Sequence, residues 1–457
     1  MGRRSDRFAA ALHIRGIRDS LATSQSEAFA LSDAALDGVK SVAGERVSVW
    51  VPGRIEVFGK HTDYAGGRSL LAAVERGFCV RVAPRSDGEV HVFDALSGRA
   101  CRSVLRTDAA APDGDWSNYV TTVARRVAQN FPEATCGVDI AFSSDLPQAA
   151  GLSSSSALVT AVFTALAAVN ELSRSPRWSR VVPTATDLAG YLGAMENGFS
   201  FHEFAGDVGV GTLGGCQDHT AIVCAHAGTI VDYRWMPVHH VGSYALPLTH
   251  CFAVASSGVV AEKAAGARER YNHVSLMVRH LLSAWNEQSG RSDLSLGAAA
   301  GSAPSAPAAL RELTQTASTA EFSATALMAR LDQFLLETYT LIPAAAAAMQ
   351  CGDWSALGDA AARSQAAAER GLGNQTHETT GLVNLASTLG APAASAFGAG
   401  FGGSVWALVE RDRVDAFLVE WERRYRDQFP NAAPGAMFFH TGAGSGVLQW
   451  SDRETAA

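Results

Sequence analysis

The sequence predicts an α+β fold built as two halves that meet near residue 245. Three observations predict it. The chain has 457 residues, too many for one small domain and comfortable for two. Short runs with period-two alternation (Val47, Val49, Val51; Val80, Val82; Val90, Val92) stand beside longer stretches of helical patterning. The two kinds of segment are mixed along the whole chain, with no internal repeat.

The elements follow in order. Residues 1–40 pattern as an amphipathic, exposed helical extension. Residues 46–106 read as strands divided by glycine and by turn chemistry such as Pro84-Arg85-Ser86-Asp87-Gly88. A helix is expected over 116–130, a strand over 138–142, and a second long helix from 151 to 172, opened by glycine and serines. Residues 182–196 read as helix, and the glycine-dense 206–215 as a loop. Regular structure resumes at 219–224, with a strand at 229–233. The first domain is therefore placed at 41–245 and the second at 246–457. A strand at 251–256 opens the second domain. The Ala/Ser/Gly/Pro-rich residues 289–309 read as an exposed loop. Helices are expected at 325–342, 353–365 and 379–389, and a strand at 404–409.

Hydrophobic residues make up 47% of the chain, enough for a sizeable core. The net charge of -8 argues against a nucleic-acid or anionic-membrane partner, since both need a basic face. No run reaches the roughly 20 apolar residues of a membrane span, and the N-terminus does not read as a signal peptide. The 7 cysteines are scattered without C-x-x-C spacing. That suits a reduced cytoplasm better than a disulfide framework or a zinc site. Lysine occurs only at Lys40, Lys60 and Lys263, so a lysine inside a motif is not an arbitrary basic residue.

Three stretches carry chemistry. In Leu146-Pro147-Gln148-Ala149-Ala150-Gly151-Leu152-Ser153-Ser154-Ser155-Ser156 a strand gives way to a small-residue loop and then a helix. Free N–H groups at a helix start, with hydroxyls beside them, suit a polyphosphate. A plain serine-capped helix has the same appearance, and the stretch is not a Walker loop. Pro52-Gly53-Arg54 with Gly59-Lys60-His61-Thr62-Asp63-Tyr64 is a dense polar run after a strand. It suits sugar hydroxyls and an anion, or a structural Arg–Asp pair. Phe397-Gly398-Ala399-Gly400-Phe401-Gly402-Gly403-Ser404 permits close backbone approach, to a ligand or to another loop.

In this order and at these separations the three resemble the signature motifs of the GHMP kinases. The Pro52–Tyr64 stretch resembles the galactokinase signature in particular, as does Trp116-Ser117-Asn118-Tyr119-Val120. The likeness runs from about residue 46 to 410. It implies an N-terminal half like the second domain of ribosomal protein S5 and a ferredoxin-like C-terminal half. It also implies ATP and Mg²⁺ as cofactors, a small-molecule sugar as partner, and a monomer or homodimer.

The implied reaction is transfer of the γ-phosphoryl group to an anomeric hydroxyl. A non-catalytic or dual-role sugar- and ATP-binding regulator is the alternative. The resemblance makes Asp218, in Gly214-Gly215-Cys216-Gln217-Asp218-His219, the catalytic carboxylate and Arg54 its partner. It gives Lys60, His61, Asp63, Gly215 and Arg268 to the sugar. Trp116, Ala149, Ala150, Gly151, Leu152, Ser153, Ser154, Ser155 and Ser156 go to ATP. Ser155 and Glu196 go to the metal, with Glu203 as a rival to Glu196.

Four positions depart from the family pattern. His219 stands for the usual Gln, Lys60 for a Glu, and Ala149 for a Gly; no Tyr precedes Tyr271 in the region where the family has a sugar-contacting one. The reversed charge at Lys60 raises the expectation of an acidic sugar such as galacturonate. Pairing of Lys60 with Glu56 or Glu75 is the plainer alternative.

Overall fold

The computed structural model describes residues 2–17, 19–38, 45–112, 115–147, 150–259 and 266–454. Its first sheet contains β1 (Val47–Phe58), β2 (Arg68–Pro84), β3 (Glu89–Asp94), β4 (Ala100–Val104) and β5 (Val138–Ser144). It also holds β6 (Thr229–Arg234) and β7 (His239–Ala245). The second is built from β8 (His250–Ser256), β9 (Ala393–Phe397), β10 (Ser404–Glu410) and β11 (Met437–Thr441). A last strand, β12 (Leu448–Ser451), crosses back to flank β1 in the first sheet. The 246–457 domain boundary is corrected accordingly: its final strand belongs to the first half.

The first sheet runs β12-β1-β2-β5-β3-β4, with β6 on the far end of the long β2 and β7 on β6. Among the described residues of this sheet, only β3 and β5 pair in parallel. Helices Ser117–Asn130, Ser154–Val169 and Ala185–Asn197 share one core with this sheet, where Val57, Val80, Val123, Val162 and Leu192 are buried. The second sheet runs β11-β8-β10-β9, antiparallel throughout. Helix Val414–Gln428 lies between β10 and β11, giving the expected ferredoxin-like order.

β1 positions the site. Its pairing with β2 is broken between Pro52 and Arg54 and again between Glu56 and Phe58. Such irregularities re-aim side chains; Arg54 and Glu56, between the two, both face a cavity. A Cβ at Gly53 would lie 2.6 Å from the Leu146 side chain and 2.9 Å from the Leu152 carbonyl oxygen. Glycine there lets the serine-rich loop dock on the strand.

Two expectations change. The extension is a pair of helices, Gly2–Ile14 and Asp19–Ala35. It is not exposed: Phe8, Leu12 and Phe29 are buried against Trp50, Cys79 and Trp450. Its Asp33 reaches the fully buried Arg81 at 2.9 Å. Residues 289–309 are not a loop either. They contain helix Leu296–Ala300 and the start of Ala306–Thr316, with Leu296, Ala299, Ala306 and Leu310 in a core. Alanines pack helices closely, and composition alone does not separate that from a small-residue loop. Helix Gly266–Ser289, which packs beside them, was not read from the sequence.

Candidate active site

A cavity of about 330 Å³ opens where the two halves meet. Its centre is the pair Arg54–Asp218. Arg54 Nε donates to Asp218 Oδ1 at 2.7 Å, and the guanidinium also donates to the Gly151 carbonyl. From the other side Ser153 Oγ donates to Asp218 Oδ2 at 2.5 Å. Ser153 has a left-handed backbone (φ 59°), uncommon for serine, at the cap of helix Ser154–Val169. Burial works against the charged form of Asp218. The Arg54 guanidinium and Ser153 hydroxyl outweigh it and hold the carboxyl below its ordinary range.

Gly151, Ser153, Ser154, Ser155 and Ser156 line the cavity. Ala150 and Leu152 do not; they sit in the core, and their carbonyls accept from Ser404 and the Arg54 N–H. Ala149 lies outside the described residues. The glycine-rich third motif packs against this loop. A Cβ on Gly398 would be 3.0 Å from the Gly151 carbonyl oxygen, and one on Gly151 3.2 Å from that of Phe397. Trp116 lines the same cavity with Asn118 and Tyr119, the Arg99 guanidinium 5.4 Å above its ring.

Asp63, Gly215 and Arg268 line the cavity. Asp63 accepts from the Gln217 N–H at 3.2 Å, and burial pushes its carboxyl up to about 6. A Cβ on Gly215 would fall 2.2 Å from Asp63 Oδ2, so glycine is required for that approach. His61 lines the wall too, but both its nitrogens are engaged. Nε2 donates to the Ala399 carbonyl at 3.2 Å, and Nδ1 accepts from the Tyr64 hydroxyl at 2.8 Å. Burial, with Arg330 nearby, brings the ring down to about 4, so it is neutral at physiological pH.

Lys60 is a correction. Its ammonium is buried and donates to Ser364 and Ser395, each at 2.9 Å, and it does not line the cavity. Hydroxyls from the second half take the charge that was expected to face a sugar. Ser364 passes the contact on to Glu337, which also accepts from the Gly59 N–H. Glu337 comes from the π-turn Glu337–Leu341. Neither Glu56 nor Glu75 pairs with Lys60 within ion-pair distance among the described residues.

Glu196 and Ser155 lie on the same wall, and Ser156 Oγ donates to Glu196 Oε2 at 2.8 Å. Glu203 does not reach the cavity; it is half-exposed and paired with Arg180.

Sequence reasoning missed Tyr271 and Glu56. The Tyr271 ring lies 5.2 Å from that of His61, tilted by 48°, and lines the cavity, but its helix had no legible start. Glu56 is buried with Oε2 accepting from Gln217, while Oε1 has no hydrogen-bond partner among the described residues. Burial raises it to about 8 against the pull of Arg54 and Lys60, so it is neutral at pH 7. The raised value fixes a sign. As pH climbs from the unfolded value of 4.5 to about 8, the unfolded chain loses this proton and the folded one keeps it, so folding weakens across that window. Glu56→Gln is expected to remove that fall, seen as a flatter plot of Tm against pH.

Three family models match the chain. They are the galactokinase galactose-binding signature at residues 41–84, the GHMP kinase N-terminal domain at 118–225 and the GHMP kinase C-terminal domain at 341–427. Between them they take in more than half of the 457 residues. The chain belongs to the GHMP kinase superfamily. This GHMP kinase is 28% identical to a galactokinase of Roseiflexus sp. (strain RS-1) over 387 residues, 83% of this chain and 88% of that one. With the galactokinase of Glaesserella parasuis serovar 5 (strain SH0165) the match is tighter but local. It is 34% over 111 residues, 24% of this chain and 29% of that protein's length. The crystal structure of Lactococcus lactis galactokinase complexed with galactose shares its fold: TM-score 0.73 at 22% identity, covering 92% of this chain and 98% of the other. Among the described residues no helix is long and apolar enough to cross a membrane.

Proposed function

We propose that this GHMP kinase is a galactokinase-like enzyme that transfers the γ-phosphoryl group of ATP to the anomeric hydroxyl of a galactose-like sugar. The observation that carries the reading is the hydrogen bond from Ser153 to Asp218. It joins the serine loop, made for phosphate, to a carboxylate facing the same cavity. A hydroxyl held beside Asp218 would therefore be within reach of a phosphate held by the loop. Asp218 orients that hydroxyl and takes its proton, and Arg54 spreads the charge that develops on the transferred group. The first N–H groups of helix Ser154–Val169 hold the phosphates.

The donor set fits Mg²⁺. Ser155 and Glu196 offer hard oxygens to the cavity, the kind that Mg²⁺ takes together with phosphate oxygens and water. When bound there, the ion neutralises phosphate charge. The buried Lys60 removes the feature that suggested a uronic acid, so a neutral sugar is the better-supported acceptor. A coupled ADP-release assay against galactose, arabinose, fucose, glucose, N-acetylhexosamines, galacturonate and glucuronate tests this. Galactose is expected to exceed galacturonate in kcat/KM by about 100-fold or more. Faster turnover of galacturonate would reinstate the acidic sugar, with Arg268 as the cation on the wall. Silence across the panel with ATP still bound would favour the non-catalytic regulator.

A further inference from the structure

His219 directly follows Asp218 on helix Gln217–Cys224 and is almost fully buried. A buried imidazole ordinarily finds partners for both nitrogens. Here neither Nδ1 nor Nε2 completes a well-aligned hydrogen bond among the described residues. One close polar neighbour is nevertheless present: Nε2 lies 3.2 Å from Glu196 Oε2. Ser156 Oγ donates to that same oxygen at 2.8 Å. Glu196 stands near the end of helix Ala185–Asn197, where its side chain spans the gap to both neighbours.

We infer that His219 is a positioning residue for the Glu196 carboxylate, fixing the angle at which its oxygens face the Ser155 hydroxyl. The inference rests on the kinase reading above. A small rotation of the imidazole completes an Nε2–H···Oε2 hydrogen bond, and short catalytic contacts of this kind commonly tighten once the ligand arrives. Neighbours that hold a ligating carboxylate act on metal affinity through its orientation. His219 lines the same cavity and is the chain neighbour of Asp218, so metal affinity and sugar affinity have to be read separately to assign its role.

Mn²⁺ is the probe, followed by electron paramagnetic resonance in the presence of a non-hydrolysable ATP analogue. Two variants divide the possibilities: His219→Met, similar in reach but without a donor, and His219→Gln, which keeps one. His219→Met is expected to weaken Mn²⁺ binding about 10-fold, with sugar affinity unchanged; His219→Gln should stay within about 3-fold of the parent. Equal Mn²⁺ affinity in all three proteins would overturn the inference. So would equal losses in both variants, which would mark a packing role. If His219→Met does not fold, the parent decides by ¹⁵N-histidine spectra, with His219→Gln identifying the resonance. A His219 Nε2 signal that shifts on adding Mg²⁺ and the analogue supports the inference, and one that stays fixed overturns it. Absence of Mn²⁺–nucleotide binding in the parent would instead overturn the kinase reading itself.

Discussion

Asp218→Asn is expected to lower kcat by about 10³-fold, within the 10² to 10⁴ range for a positioned proton acceptor, while ATP affinity changes little. The side chain keeps its size, so the loop geometry survives. Its charge does not survive, and three losses follow. The amide cannot take a proton from the sugar hydroxyl. One of its two ends becomes a donor and cannot accept from both Arg54 and Ser153, as the carboxylate does. The nearly fully buried Arg54 keeps its charge without its 2.7 Å partner. A single-turnover assay with saturating MgATP separates the chemical step from binding. A drop of less than about 10-fold would mean that Asp218 orients the hydroxyl without receiving its proton.

Asp33→Ala is expected to cost about 3 kcal/mol of stability, the low end for breaking a buried ion pair. Arg81 has no exposed surface and is held by Asp33 at 2.9 Å, Asp452 at 3.0 Å and the Ser48 hydroxyl. Asp33 also accepts from Arg46 at 3.0 Å. Removing it takes a carboxylate away from four guanidinium groups, Arg4, Arg7, Arg46 and Arg81. Burial opposes ionisation of Asp33, but Arg81 and Arg46 prevail and its carboxyl is held low. The sign follows from linkage: its contribution is full above the unfolded value and is lost as pH falls through the folded one. Urea unfolding at neutral and at acid pH checks this. The gap between parent and variant should narrow on acidification. A loss under about 1 kcal/mol at neutral pH would show that Asp452 alone satisfies Arg81.

Much of this was legible in residue order. Period-two alternation at Val47–Val51 and Val80–Val82 marked β1 and β2, with the valines on one face and Ser48, Trp50 and Arg81 on the other, a face that the N-terminal helices also bury. The Arg54–Asp218 partnership was reached by resemblance, and nothing in a separation of 164 positions announces it otherwise. Lys60 shows where reading fails. Its charge was visible, but its direction depends on Ser364 and Ser395, more than 300 residues away. Glu56 failed for a related cause: a carboxyl in a strand reads as surface until Gln217 and Arg54 are seen to enclose it. The 289–309 helices were hidden because alanine, serine and glycine carry too little hydrophobic contrast to set a period.

The flank of β1 is made late. Residues 47–50 pair with 448–451, so β12 follows the entire second half in sequence. Translation proceeds from the N-terminus at about 5–20 residues per second. The first half therefore waits about 10 to 40 seconds with β1 as an unpaired edge strand. Arg81 waits as well, because Asp452 arrives with that strand. A ribosome stalled before residue 448 should display a nascent chain that proteases cut and chaperones retain, even though every cavity-lining residue has already been synthesised.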